Sequence, residues 1–457
     1  MKDIDMDDTE WTPIGTKAHP FTGKFDGDNK TISNLKCTNA SAEYVGLVGY
    51  AIGATIHDVT VKESSLNGNQ YIGAVCGYIK DGTITNCHAA VNTVIGETRR
   101  DDFPQYCGGI VGYIVRHTAD STSAVTDCTN SGTVSGSYYI GGIAGFANDA
   151  TVQRCFNTGK VTGSKSTIGG IVGKMDRATV QDCGNTGAVI RTVETWYYGG
   201  IVGNAIQQSV IENCYNANST IEYPIGGVGA DATFSNCYYL DRSGINYTGT
   251  TAKTQAQFAS GEVAYLLQKP RDDAATADQP AEQVWGQTLT GANKQDYPVL
   301  RGLKVYQGTP CQGRYSNTED EELNHNYVDG KCTYCGQPEI AYTVTIPASV
   351  ELGNTATIAA AGVTLPNDKQ LNVKVADGSE FKVALNGDTC EYTVTNKGDT
   401  VNNPNGTSVT PGTTVLTAEN GESEKTVELQ FNKPKTTTYS GTYTGTVSFT
   451  VSVDDKS

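Results

Sequence analysis

Cys311, His325, Cys332 and Cys335 are separated by thirteen, six and two residues, and the last pair stands in the run C-T-Y-C-G. Thiolates and imidazole are soft ligands, and four of them suit the tetrahedral coordination of zinc. A C-x-x-C-G turn lets two thiolates reach one ion, and the segment around it is too poor in apolar residues to stay ordered without a staple. A structural zinc ion is the first reading, with Cys311, His325, Cys332 and Cys335 as its ligands. A disulfide involving Cys311, or unpaired thiols, are the other states open to these residues.

The remaining cysteines belong to a different pattern. A glycine motif recurs at Gly46–Gly49, Gly73–Gly77, Gly108–Gly112, Gly141–Gly145, Gly169–Gly173, Gly199–Gly203 and Gly226–Gly229, in its fullest form as G-G-I-V-G. After each copy comes an apolar-x-x-Cys element ending at Val59, Cys87, Cys128, Cys155, Cys183, Cys214 or Cys237, and Ile32–Leu35 reads as an earlier copy. The period is near 28 residues, with one step of 41 before Cys128 that places an insertion at Arg99–Gln105, at Arg116–Ser123, or at both. A unit of this length, with Gly, Asn and Ser turns and no helical period, holds two or three short strands. It cannot bury its apolar side alone, but coils stacked about 4.8 Å apart line up equivalent residues into a continuous core. The expected fold is all-β: a right-handed parallel β-helix.

Such stacking predicts ladders. The cysteines form an inward, buried and unreactive one. Asn130, Asn157, Asn185 and Asn216, each two residues beyond a cysteine, form an amide ladder at one corner. Tyr71, Tyr106, Tyr139 and Tyr197 precede the glycine pair by two residues, and alternation sends them outward, opposite the inward Ile72, Ile140 and Tyr198. This stripe either covers the sheet by self-stacking or binds a ligand.

The G-G-I-V-G units, the opening W-T-P-I-G at Trp11–Gly15, and F-x-G-x-F-D-G with T-I-S-N-L from Phe21 to Leu35 resemble the GLUG-motif repeats of bacterial cell-surface proteins. The resemblance runs from Trp11 to Asp241. It implies an extracellular repeat scaffold of the kind found in adhesins and beside immunoglobulin-A-cleaving metallopeptidases. The G-A-V-C-G and G-G-V-G copies depart from the pattern.

Four regions follow: 1–241 as the β-helix, 242–307 as a helical and aromatic cap, 308–340 as the Cys/His linker, and 341–457 as a β-sandwich. Gln255–Gln268 places Phe258, Val263, Leu266 and Leu267 on one side of a short helix, suited to covering an open solenoid end. Alternating strands at Tyr342–Ile346, Leu371–Val375, Phe381–Leu385, Glu391–Thr395, Thr426–Phe431 and Thr446–Val453 fit an immunoglobulin-like sandwich, without the cysteine pair and core tryptophan of antibody domains.

Function classes narrow accordingly. With 33 basic against 49 acidic residues the net charge is −16, which repels nucleic acid. No window approaches eighteen apolar residues, so this chain does not insert into a membrane. It reads as a trimmed, secreted or surface-exposed piece whose signal and anchor lie elsewhere. None of the five histidines stands in H-E-x-x-H, and no G-x-S-x-G turn occurs. Arg99, Arg100, Asp101 and Asp102 form the one dense charged cluster, ordinarily a solvated turn. The expectation is a non-catalytic adhesion protein binding a host or bacterial surface glycan or protein, with a glycan-active β-helix enzyme as the alternative.

Overall fold

The computed structural model describes residues 2–91, 93–96, 105–193, 197–218, 223–227, 232–241, 248–319, 321–398 and 406–456. Contacts divide the chain into Met1–Glu322 and Leu323–Ser457.

In the first unit the chain runs through Thr151–Gln153, Phe156–Asn157, Val161–Gly163, Thr167–Gly169 and Val172–Asp176. Thr179–Gln181 then returns beside Thr151–Gln153 in parallel, with Val180 opposite Val152. A coil therefore has five short strands rather than two or three, because each strand stops where the chain must corner. Each strand pairs with its counterpart one coil on, giving three six-stranded parallel sheets and one larger sheet. This is the arrangement of a parallel β-helix. The register also locates the long step. Gly68 to Tyr71 corresponds to Gly96 to Tyr106, and Lys80 to Thr83 corresponds to Val115 to Ala124, so both insertions exist. At the start, Phe25 lies opposite Ile56, whereas Ile32 lies opposite Val61. The first copy of the apolar element is thus Phe25–Asp28, and Ile32–Leu35 belongs to the following strand position. Trp11, Ile14 and Phe21 continue the stack backwards: bridges join Ile14 to Val48 and Phe21 to Ala51, and the Trp11 indole donates to the Leu47 carbonyl at 3.1 Å.

The inward column Cys87, Cys128, Cys155, Cys183, Cys214 and Cys237 is buried. Each Sγ lies 3.1–3.3 Å from the carbonyl two residues earlier. A carbonyl of the preceding coil lies at 3.6–3.9 Å, so the thiol hydrogen has an acceptor on either side. The amide ladder closes more tightly. Asn157 Nδ2 donates to Asn185 Oδ1 and to the Gly159 carbonyl, both at 2.9 Å, while its Oδ1 accepts from Asn130 Nδ2 at 2.8 Å and from the Gly159 amide at 3.2 Å. Asn130, Asn185 and Asn216 repeat the pattern, and all four are buried. The second glycine of four motif copies, Gly109, Gly142, Gly170 and Gly200, packs on this ladder. A Cβ at Gly142 would sit 2.4 Å from Asn157 Cγ and 2.1 Å from the Gly170 carbonyl oxygen, so no larger residue fits.

The corner before each inward cysteine is a third ladder. Asp58, Asn86, Asp127, Arg154, Asp182, Asn213 and Asn236 all have φ between 47° and 57°, the left-handed region that Asn and Asp tolerate best. Arg154, the exception, is held by two bonds of 2.9 Å to the Asp127 carboxylate.

Past the last coil, α1 (Gln255–Ala259) and α2 (Glu262–Ala274) do not sit over the solenoid end alone. They lie along its flank, because the outward Phe156, Tyr215 and Tyr238 offer an apolar face there. Phe258, Val263, Leu267 and Trp285 pack on it, and Tyr215 donates to the Pro298 carbonyl at 2.6 Å. Arg271 reaches Asp182 at 2.5 Å and Arg301 reaches Asp127 at 2.9 Å, so the cover spans several coils.

In the second unit, Ala341–Thr345, Thr355–Thr364, Glu424–Asn432, Thr393–Asn396 and Thr407–Val409 form one antiparallel sheet. Thr414–Glu419, Lys369–Val375 and Phe449–Asp455 form a second. Ile358, Leu371, Val373, Leu429 and Phe431 share their core. Thr355–Thr364 escapes sequence reading because three consecutive alanines carry little strand signal. Val447, Phe449 and Val453 pack on the core as their spacing suggests, but Val451 is exposed.

Asn157→Ala deletes a residue bonded on all sides in a buried column, and each orphaned partner costs about 1–3 kcal/mol. The expected loss is about 3 kcal/mol or more by denaturant unfolding. Lys160→Ala, an exposed neighbour, should stay within about 0.5 kcal/mol.

Candidate functional site

The Cys/His segment is built from turns. Tyr327–Val328 and Lys331–Cys332 pair as a hairpin about Asp329 and Gly330, both left-handed with φ of 52° and 73°. After Cys332 the chain folds back: the Gly336 amide donates to the Cys332 carbonyl at 2.9 Å, and the Cys332 amide to the Gln337 carbonyl at 2.8 Å. Gly336 has φ of 73°, which explains the glycine after C-x-x-C. This turn brings the amides of Cys335 and Tyr334 onto the Cys332 thiol. Burial raises that thiol's pKa, but the two amides, His325 and the Asn326 backbone outweigh it and hold the pKa at about 5. Cys335 Sγ lies 3.3 Å from His325 Nδ1. Within the second unit, the ligand atoms of His325, Cys332 and Cys335 all lie within 4.8 Å of one another. Two sulfurs and an imidazole nitrogen in one cluster, with the pKa of one thiol lowered, fit a metal ion, since a bound thiol must lose its proton.

Tyr71, Tyr106 and Tyr139 come together on one outer edge of the solenoid, and Tyr44 extends their column. Tyr44 and Tyr71 stack at 5.0 Å and 2°, Tyr71 and Tyr106 at 4.9 Å and 4°, Tyr106 and Tyr139 at 5.2 Å and 35°. A second column, Tyr50, Tyr78, Tyr113 and Phe146, lies against the first, with Tyr106 and Tyr113 5.1 Å apart. Sequence reading misses it, although each of these aromatics directly follows the last glycine of a motif. Lys174 ends both columns, its ammonium 5.1 Å from the Tyr139 ring and 5.3 Å from that of Phe146. Tyr197 is not stacked with them. Its register partner is Thr167, and it is 38% exposed.

Within the stacked pairs the rings turn their faces to one another. Burial raises the phenol pKa of Tyr44 to about 12 and pushes Tyr71, Tyr106, Tyr113 and Tyr139 upward too. A phenol is protonated at neutral pH in any case, and burial reinforces this, so the hydroxyls stay hydrogen-bond donors well above it. Arg99, Arg100, Asp101 and Asp102, the cluster on which the enzyme alternative rests, lie outside the described residues.

Cys332 gives a direct check on the turn geometry. In metal-free protein its alkylation rate should rise through a midpoint near pH 5 and be flat above pH 7, as the thiolate fraction saturates. A rate still climbing between about pH 8 and 9, as for an ordinary cysteine, would contradict it.

Comparison with known proteins adds three findings. No solved structure matches this chain. Halomucin of Haloquadratum walsbyi is 37% identical over 93 residues, which cover 20% of this chain and 1% of that protein. A family model described as the GLUG motif matches residues 194–222, the length of one coil. The coil at residues 194–222 carries the GLUG motif.

Proposed function

We propose that the chain is a non-catalytic extracellular adhesion or interaction protein, secreted or held at a cell surface, that displays its β-helix to a host or bacterial glycan or protein. The observation that carries this reading is the aromatic edge. Stacked columns with protonated hydroxyls give a rigid surface repeating at coil spacing, and repetition lets individually weak contacts gain by multivalency. Because the ring faces of Tyr71, Tyr106 and Tyr139 are turned to their neighbours, their contacts are hydrogen bonds to glycan hydroxyls or peptide carbonyls. The similarity to halomucin and the GLUG motif support a surface role. The second unit reads as an immunoglobulin-like stalk, and the Cys/His knuckle as a structural zinc site.

A glycan and surface-protein binding screen beside a polysaccharide degradation assay tests the function. Ligand retention without cleavage is expected, reduced by Tyr106→Phe, which removes a hydroxyl and keeps the stack, and by Tyr197→Ala. Product release abolished by changing Asp101 or Asp102 would replace the reading with the enzyme.

Zinc is tested by metal analysis of protein purified without added metal. About one equivalent, lost in the double variant Cys332→Ser/Cys335→Ser, is expected. A metal-free protein with a mapped disulfide at Cys311 would exclude it.

A further inference from the structure

His57 stands on the outer side of the first complete coils, where its strand Thr55–Lys62 pairs with Lys24–Ser33 and places Asp26 directly opposite. The next residue, Asp58, has a left-handed backbone with φ of 57°, which turns its carboxylate back alongside the imidazole. Asp58 Oδ2 lies 2.6 Å from His57 Nδ1, and Asp58 Oδ1 accepts from Asn86 Nδ2 at 2.6 Å. The carboxylate is thus fixed from both sides, and because it can only accept, the Nδ1 position carries the proton.

The consequence falls on the other ring nitrogen. Nε2 is buried and has no hydrogen-bond partner. The polar atom that it faces is Asp26 Oδ2 at 3.7 Å, too far for a hydrogen bond, and Lys24 balances that carboxylate from 3.4 Å. An imidazole whose Nδ1–H is donated to a carboxylate and whose Nε2 has no hydrogen-bond partner is the arrangement in which histidine ligates metals. Ligand atoms of Asp26, His57 and Asp58 all lie within 4.8 Å of one another. The gap between Nε2 and Asp26 Oδ2 is near the separation of two neighbouring ligands, each about 2.0–2.2 Å from one ion.

We infer that Asp26 and His57 bind a first-row divalent transition cation on the outside of the β-helix, with Asp58 holding the imidazole in its ligating tautomer. Imidazole and carboxylate without thiolate suit zinc, cobalt or nickel, and two protein ligands leave positions for water or for an oxygen of a bound partner. The site is separate in sequence and ligand type from the Cys/His knuckle, whose sulfurs give any bound ion a different spectrum.

Cobalt(II) titration of the full chain, stripped of metal, separates the two. Filling the knuckle produces near-ultraviolet thiolate charge-transfer absorption. Filling the solenoid site adds a further equivalent with visible bands and no such absorption. His57→Ala should remove this second equivalent alone, and Asp58→Asn should weaken it by about 10- to 100-fold, the usual cost of losing an outer-shell carboxylate. Circular dichroism of each variant confirms the fold. Independently, zinc should shift the His57 ring resonances of the unmodified chain, read by nuclear magnetic resonance. A second equivalent unchanged by His57→Ala, no thiolate-free equivalent at all, or His57 resonances that stay in place with and without zinc would each overturn the proposal.

Discussion

Parallel strands one coil apart hydrogen-bond at a fixed spacing of about 4.8 Å, and that spacing governs everything else in the solenoid. A residue type favourable at one height is repeated directly above and below itself, so like meets like along the axis. For Val152 and Val180 this is simple apolar packing. For a buried polar residue it is a severe test, because an unpaired amide in the interior costs more than any single contact returns. Asparagine passes it, since its carboxamide has a donor and an acceptor pointing along the axis. Asn130, Asn157, Asn185 and Asn216 also bind the turn two residues onward, which fixes the corner as well as the stack.

The same constraint explains the glycines and the tyrosines. The inner wall opposite the amide ladder comes so close that Gly109, Gly142, Gly170 and Gly200 have no room for a Cβ. On the outside, Tyr71 above Tyr44 and Tyr106 above Tyr71 lie parallel, which the coil spacing allows because it exceeds a ring's thickness. The aromatic edge is a by-product of register that function can use. It ends where Thr167 and Lys174 replace the aromatics, so the surface changes character along the axis without any change of fold.

Repetition made much of this legible from the sequence. The cysteine, asparagine and tyrosine series stand out because period and spacing coincide. The left-handed corner did not, though Asp127, Asp182 and Asn213 sit one residue before cysteines that were read, because turn residues attract little notice beside an apolar core. The second aromatic column was overlooked for a similar reason: Phe146 replaces tyrosine and Lys174 ends the series, so it is not a run of one letter. The flank cover depends on outward residues such as Tyr215 meeting a helix 40 or more residues later, and no local pattern encodes a meeting of that kind. The Cys/His ligands were visible by type, whereas the Asp26–His57 pairing needed the register of two coils, since the two residues lie in different motif copies.

In-register stacking places a buried thiol column at the centre of the solenoid, and one measurement reaches it most directly. Mass-spectrometric mapping of maleimide labelling, in native and in denaturant-unfolded protein, reports each cysteine separately. Cys87, Cys128, Cys155, Cys183, Cys214 and Cys237, all buried thiols in the folded chain, should be unlabelled natively and fully labelled on unfolding. Native labelling at several of these positions, or disulfides between them, would contradict the stacked register.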